Sequence, residues 1–141
     1  MKKNIFDIVV IGAGPAGMMA AIAGKNRKNK VCLIEKNKTL GRKLLLTGKG
    51  RCNLTNIKEI PEIIDQFGKK GRFLYAALSR FSNRDLINFF ENRGIKTKVE
   101  RGGRVFPVSD KAETVLNCLQ RELRKKQVEI FYEFSVSRLI P

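Results

Sequence analysis

Short apolar runs alternate with helical patterns along this chain. The first run, Asp7-Ile8-Val9-Val10-Ile11, is continuous rather than alternating and reads as a hydrophobic strand. It ends in glycines and leads into a helix of small residues over Met18–Lys25. A second apolar run, Val31-Cys32-Leu33-Ile34, follows and ends in Glu35. Residues 5–35 therefore predict a β–α–β unit with a right-handed crossover. Leu44–Leu46 forms one short apolar patch in a polar, basic stretch.

Residues 59–81 read as mostly helical. Ile60, Ile63, Ile64 and Phe67 share one face, followed by Phe73, Leu74, Ala77, Leu78 and Phe81, with Gly68 and Gly71 between the pieces. Ser82 and Asp85 are spaced as a capping box for a helix that Gly94 closes, with Leu86, Ile87, Phe89 and Phe90 as its core face. The aromatics are assigned to packing rather than to cofactor stacking. Ile95–Glu100 and Val105–Pro107, joined through Gly102-Gly103, predict a hairpin. Ser109 is read as the cap of a helix reaching Lys126, with Ala112, Val115, Leu116, Leu119 and Leu123 inward. Val128–Tyr132 predicts a strand, and Phe134–Ile140 the start of another. The alternation of strands and helices predicts an α/β fold with a parallel sheet, flanking helices and a small β-hairpin.

The first turn carries chemistry. Gly12-Ala13-Gly14-Pro15-Ala16-Gly17 is a Gly-x-Gly-x-x-Gly motif between strand and helix, and Glu35 stands at the end of the next strand. That is the context the dinucleotide fingerprint requires. Gly12 allows the tight turn, Gly14 lets a pyrophosphate approach the backbone, and Gly17 lets helix and strand pack closely. The helix N-terminus offers free N–H groups and a partial positive charge to phosphates. Pro15 suits the first helical turn, where its missing N–H costs little. Glu35 can accept hydrogen bonds from a ribose diol.

Composition adjusts this picture in three ways. At 43% hydrophobic and 30% charged residues the chain reads as globular, without the 18-residue apolar run of a membrane span. No apolar leader precedes the first strand, so a cytoplasmic protein is expected. The net charge of +16, from 29 basic and 13 acidic residues, raises nucleic-acid binding as a reading. The cations are spread over several segments without an aromatic RNA-binding motif, so no specific nucleic-acid partner is expected. Three cysteines without a Cys-x-x-Cys, and no histidine, give no metal-site spacing. Cys52 is read as a structural or loop-lining thiol, because nothing in sequence supplies a resolving partner.

Residues 36–56 hold the remaining signals. Thr47-Gly48-Lys49-Gly50-Arg51 offers backbone N–H groups and two cations to a phosphate or a flavin edge. The spacing to Gly41 does not make it a phosphate-binding P-loop. Three blocks taken together are more specific than any one alone. They are Gly12 to Gly17 with Glu35; Gly41-Arg42-Lys43 with Gly50-Arg51-Cys52-Asn53-Leu54-Thr55-Asn56; and Gly103-Arg104-Val105-Phe106-Pro107. With them the chain resembles, along its whole length, the N-terminal part of the bacterial BaiN/RdsA-type flavoproteins (aminoacetone oxidase family). These are NAD(P)/FAD-dependent oxidoreductases of glutathione-reductase-like, Rossmann-like fold.

The resemblance implies FAD as cofactor and NAD(P)H as electron donor, with hydride transfer through the flavin to a small organic substrate. The ADP half of FAD would lie on Gly12, Gly14, Pro15, Ala16 and Gly17, with Glu35 on the adenosine ribose. Lys36, Arg42 and Lys43 would flank the ribose or diphosphate. Thr47, Gly48, Gly50, Arg51, Cys52 and Asn53 would run beside the flavin-side portion, and backbone near Val136 would meet the adenine. Family members usually carry glycine where this chain has Lys49. They also continue into a substrate domain and a C-terminal return to the FAD domain. Residues 1–141 are accordingly expected to be an incomplete FAD-binding domain, partnered by a complementary chain or by the missing C-terminal half. A non-catalytic nucleotide-binding remnant, a split subunit and a basic nucleic-acid-binding protein are the alternatives. No residue is assigned as a catalytic acid or base.

Overall fold

The computed structural model describes residues 5–140, which form two compact units. One comprises residues 5–45 with 116–140, the other residues 46–115.

The first unit is built on a parallel sheet of order β1-β2-β6, with β1 Ile8–Ile11, β2 Val31–Ile34 and β6 Glu129–Phe131. Ile8 pairs with Val31 and Ile11 with Ile34; Cys32 pairs with Glu129 and Ile34 with Phe131. Parallel strands need a crossover between them. Helix α1, Pro15–Gly24, makes the one from β1 to β2. Its Met18, Ala21 and Ile22 are buried, as are Val31, Cys32 and Leu33 on β2, which has a neighbour on each edge. Leu40, and Leu44 on helix α2 (Arg42–Leu46), extend this core. Helix α6, Ala112–Lys125, begins in the second unit and ends in the first, where it contributes Leu116, Cys118, Leu119 and Leu123. At β1 the covering is one-sided: alternate residues Val9 and Ile11 stay about half exposed.

The second unit holds an antiparallel sheet of order β3-β5-β4, with β3 Thr55–Asn56, β4 Thr97–Glu100 and β5 Arg104–Pro107. The expected hairpin is β4–β5. Its turn takes Gly102 and Gly103 through φ of 76° and 74°, a region that favours glycine. Helix α5, Asn83–Glu91, opens on the expected box. Ser82 Oγ accepts from the Asp85 N–H at 3.1 Å, and the Asp85 carboxylate accepts from the Ser82 N–H at 2.8 Å. Ile64, Phe90, Val105, Phe106, Pro107, Ala112 and Val115 are its buried apolar residues, together with Cys52.

Three expectations are corrected. The two helical pieces expected over residues 59–81, broken near Gly68 and Gly71, are present, but the aromatics assigned to their packing face are not buried. The segment divides into α3 (Ile60–Asp65), a 3₁₀ stretch over Gly68–Leu74 and α4 (Tyr75–Arg80). The 3₁₀ turn has three residues per turn rather than 3.6, so the apolar stripe does not carry through it. Phe67, Phe73 and Phe81 consequently face solvent, Phe73 at 88% exposure. Second, residues 134–140 form no strand. Among the described residues β6 pairs only with β2, and an extended segment without a ladder partner is not a strand. Third, Ser109 does not cap α6, which starts at Ala112. Its hydroxyl accepts from the Lys111 N–H at 3.4 Å and bonds the Thr114 hydroxyl at 2.8 Å.

Candidate functional site

The fingerprint turn lies at the carboxyl end of β1, where open α/β sheets place their ligand sites. Gly12 leaves the strand with φ of 95°, its N–H still donating to Ile34 O at 2.8 Å. Gly14 is the N-cap of α1 and Pro15 occupies its first turn. No side chain caps this end and no acidic residue lies in the first turn. The N–H groups of Ala16 and Gly17 therefore point outward without an intrahelical acceptor. A Cβ placed on Gly14 would meet nothing within 4 Å, so this glycine is not needed for internal packing. A Cβ on Gly17 would lie 1.9 Å from Gly12 O, so that glycine is required by the fold itself. A ten-residue helix with a bare N-terminus and an open backbone approach fits a diphosphate.

Glu35 is the second half of this site. It is only 7% exposed, yet both carboxylate oxygens are satisfied. Oε2 accepts the Ala13 N–H at 2.9 Å, which fixes the acid against the glycine turn. Oε1 accepts the Asn37 N–H at 2.9 Å and also the Asn37 side-chain amide. Burial pushes the carboxyl up. The bonds from Ala13 and Asn37, with the charge of Lys36, outweigh it and hold the group below its ordinary value. Glu35 is thus a fixed carboxylate, and an ionised carboxylate still has lone-pair capacity for a ribose diol.

Asn37 was not legible as a site residue. Its Oδ1 accepts from Arg42 Nη1 at 3.0 Å, which leaves its amide nitrogen facing Glu35. Arg42, Asn37 and Glu35 form one relay, and an open cleft lined by Lys36, Asn37, Lys38, Thr39, Arg42 and Glu133 runs beside it. Lys43 is exposed on α2. Asn37→Asp sets a second carboxylate against Glu35. We expect a destabilisation of about 1 kcal/mol at neutral pH, limited by Arg42. Two carboxylates in contact raise the pair above the value either has in the unfolded chain. The penalty is therefore full above that raised value and relieved as pH falls through it. Urea unfolding of both proteins at pH 5 and pH 7 checks this; a penalty equal at both pH values would exclude it.

The Thr47–Asn56 block belongs to the second unit; Cys52 is its buried residue, and Arg51, Asn53 and Asn56 are engaged by groups of the same unit. Arg51 donates through Nε to Asp110 at 2.8 Å, pairs through Nη2 with Asp110 at 2.7 Å and with Glu100, and stacks over Phe106 at 4.2 Å. Bonding to Arg51 holds the Glu100 carboxyl below its ordinary value. Asp110 is lowered likewise, first by Lys98 and then by Arg51. With its amide turned so that the nitrogen faces the two carbonyls, the orientation its surroundings satisfy, Asn53 donates to Thr55 O at 3.0 Å and Val105 O at 3.2 Å. Asn56 donates to Gly102 O at 2.7 Å, and its own carbonyl accepts from Asn83 at 2.7 Å. Cys52 is buried, and burial pushes its thiol up against a smaller opposing effect of Thr47. It is therefore a thiol rather than a reactive thiolate at neutral pH. The block ties the loop to β5 through partners far apart in sequence.

The start of the loop, Thr47 to Lys49, is exposed and its backbone is unusual. Gly48, Lys49 and Gly50 all lie in the left-handed region, with φ of 56°, 57° and 83°. A Cβ on Gly48 would stand 2.8 Å from Asn53 N, so only glycine fits there. Lys49 takes the conformation with an L side chain, at a steric cost. Lys49→Gly is expected to stabilise the protein by about 0.5 kcal/mol, the relief exceeding the added freedom of the unfolded chain. Chemical denaturation checks it; a stability loss would show that the lysine side chain contributes contacts that outweigh its backbone.

Val136, the remaining predicted contact, is half-buried in the irregular segment after β6, away from any strand. Among the described residues no group of three His, Cys, Asp or Glu side chains is placed to hold a metal ion. No helix among them is long and apolar enough to cross a membrane.

The family model described as HI0933-like protein Rossmann domain matches residues 6–140. The chain belongs to this family, which is of the BaiN/RdsA type. Within the HI0933-like proteins it is similar to the 3-dehydro-bile acid delta(4,6)-reductase of Clostridium scindens, at 37% identity over 94% of this chain and 32% of that protein. It is also similar to the ribosomal RNA dihydrouridine synthase of Escherichia coli, at 34% identity over 87% of this chain and 30% of that protein. The chain thus spans about a third of the length of these curated relatives. Its fold is like that of 3-ketosteroid-delta4-(5alpha)-dehydrogenase from Rhodococcus jostii, with a TM-score of 0.64 and 16% identity over 96% of this chain and 39% of that one. The Rossmann-like assignment of the HI0933-like domain therefore rests on both sequence and fold.

Proposed function

We propose that this chain is the FAD-binding part of a flavin-dependent oxidoreductase that reduces an unsaturated organic substrate with electrons from NAD(P)H. The observation that carries the reading is the pairing of Glu35 with the Ala13 N–H. It places an ionised, immobilised carboxylate against a glycine turn whose helix N-terminus is bare.

In this reading the Ala16 and Gly17 N–H groups and the open face of Gly14 receive the diphosphate. Glu35 receives the adenosine ribose hydroxyls, held in place by Asn37 and Arg42. Lys36 and Lys43 supply positive charge around the same moiety. The left-handed Gly48–Gly50 backbone is assigned to the flavin-side portion, with Arg51 and Asn53 acting as its internal supports. When bound, FAD would supply two-electron transfer that protein side chains cannot perform alone. The relatives named above support a reductive chemistry: one name describes a delta(4,6)-reductase, the other a synthase of dihydrouridine. Three free cysteines suit a reducing compartment, and we assign the protein to the cytoplasm.

The test is thermal unfolding with ADP and with FAD, followed by desalting and a flavin absorption spectrum. ADP requires only the Gly12–Gly17 turn and the Glu35 relay. A raised melting temperature with both ligands is expected, and retained flavin absorbance with FAD. No shift with either ligand at millimolar concentration would overturn the nucleotide reading.

A further inference from the structure

Two basic segments, remote in sequence, meet at the end of the first unit's sheet opposite the fingerprint. Residues 25–30 hold four cations and residues 121–126 hold four more. The first segment precedes β2 and the second precedes β6, and these strands run parallel to each other and to β1. Both segments therefore lie at the amino end of the strands, whereas Gly12–Gly17 lies at the carboxyl end. They are joined directly: Lys126 Nζ donates to Lys25 O at 3.2 Å. Lys25 in turn donates to Asn26 O at 3.2 Å and Asn29 O at 2.5 Å. A cleft between them is lined by Lys25, Asn26, Arg27, Lys125, Lys126 and Gln127.

The acids nearby offset this face only in part, three carboxylates against eight cations. Asp7 is engaged with the Lys30 N–H at 2.7 Å, Glu122 is buried, and Glu129 is a lone exposed carboxylate on β6. Arg27, Lys28, Arg124 and Lys125 are exposed and form no ion pair among the described residues. Charges scattered along the chain have become a contiguous patch in the fold.

We propose that this patch binds the phosphate backbone of a structured nucleic acid. Neither segment exposes an apolar side chain; its one leucine, Leu123, is fully buried. With no apolar group to insert, only electrostatic attraction is left for a lipid surface. The patch also lacks the aromatic rings on which unpaired bases stack. What remains is an array of exposed guanidinium and ammonium groups suited to phosphates, which fix position without reading sequence. The proposal stands independently of the nucleotide reading, because it uses the opposite end of the sheet.

The experiment is fluorescence anisotropy of the full chain with a labelled 24-base-pair RNA duplex, titrated between 50 and 300 mM KCl. Log affinity is expected to fall linearly with log salt, by about 0.9 for each phosphate contact. The variant Arg27→Ser/Lys28→Ser/Arg124→Gln/Lys125→Gln is expected to bind at least tenfold more weakly, with a shallower salt slope. A control, Lys69→Gln/Lys70→Gln/Arg72→Gln/Lys96→Gln, removes the same charge from exposed positions of the second unit and is expected to change affinity less than threefold. The two-residue variant Arg27→Ser/Lys28→Ser leaves α6 untouched and is expected to show a smaller loss in the same direction. Equal weakening by patch and control variants would overturn the proposal, as would no binding at 50 mM KCl. Tighter binding to phosphatidylglycerol vesicles than to RNA at equal salt would do the same.

Discussion

Gly17→Ala is expected to unfold the protein or lower its melting temperature by about 10 °C or more, although alanine is the better helix former. The new Cβ would lie 1.9 Å from Gly12 O and 3.1 Å from Gly12 C, both backbone atoms. No rotamer relieves this, since a Cβ has none. Either α1 must move away from β1 or the turn must open. Opening the turn strains the Gly12 N–H bond to Ile34 O and the Ala13 N–H bond to Glu35; moving the helix uncovers Met18, Ala21 and Ile22. Overpacking of this kind costs roughly 3 kcal/mol or more, out of a total stability of only about 5–15 kcal/mol. Gly14→Ala is the contrast. Gly14 has φ of −72° and ψ of 175°, which alanine adopts freely, and nothing lies within 4 Å of the added carbon. It is expected to leave the melting temperature nearly unchanged while weakening ADP binding at least tenfold. Far-UV circular dichroism melts with and without ADP separate the two. A Gly17→Ala protein as stable as the parent would mean that helix and turn do not approach as closely as described.

This contrast shows what sequence can and cannot convey. The roles of Gly14 and Gly17 follow from spacing alone, because a nucleotide turn imposes the same local geometry wherever it occurs. The β1–α1–β2 unit, the Ser82–Asp85 box and the β4–β5 hairpin were legible for the same reason: each is formed by one short continuous stretch of chain. Glu35 was legible by its distance from the turn, but its fixation was not. Asn37 resembles any loop asparagine until the chain folds back to place it between Arg42 and Glu35. In the Gly-Arg-Cys-Asn block the partners are further still. Arg51 meets Glu100 and Asp110 about fifty residues on, so nothing near it in sequence indicates that its charge is already engaged. The misreading of Phe67, Phe73 and Phe81 has the opposite origin. Their spacing suits an α-helix, but Gly68, at φ of 58°, breaks the right-handed turn there, and the 3₁₀ stretch that follows changes the period. The basic patch needed tertiary structure outright, since its halves are about a hundred residues apart.

Glu35→Gln carries the second large effect, on stability and on nucleotide affinity together. A carboxylate accepts on both oxygens, from Ala13 on one side and from Asn37 on the other. A glutamine can place its oxygen on one side only, and its NH₂ then faces a donor on the other. One buried N–H is left without an acceptor, a loss of about 1–3 kcal/mol at neutral pH. Because the Glu35 carboxyl lies below its ordinary value near 4.5 in the folded protein, its contribution is fully present above that value. It is lost as pH falls through the lower folded value, since the unfolded chain takes up the proton first. The stability gap between parent and Glu35→Gln is therefore expected to be constant from pH 7 to about pH 5 and to narrow below it. ADP affinity is expected to drop roughly tenfold or more, as a hydrogen bond to a charged acceptor is exchanged for a neutral one. Urea unfolding of both proteins from pH 7 to pH 3, with ADP titrations at pH 7, gives all three quantities. A gap that does not narrow on acidification would show that Glu35 is not the ionised anchor of the turn. A narrowing gap with unchanged ADP affinity would make it an anchor that the ribose never touches.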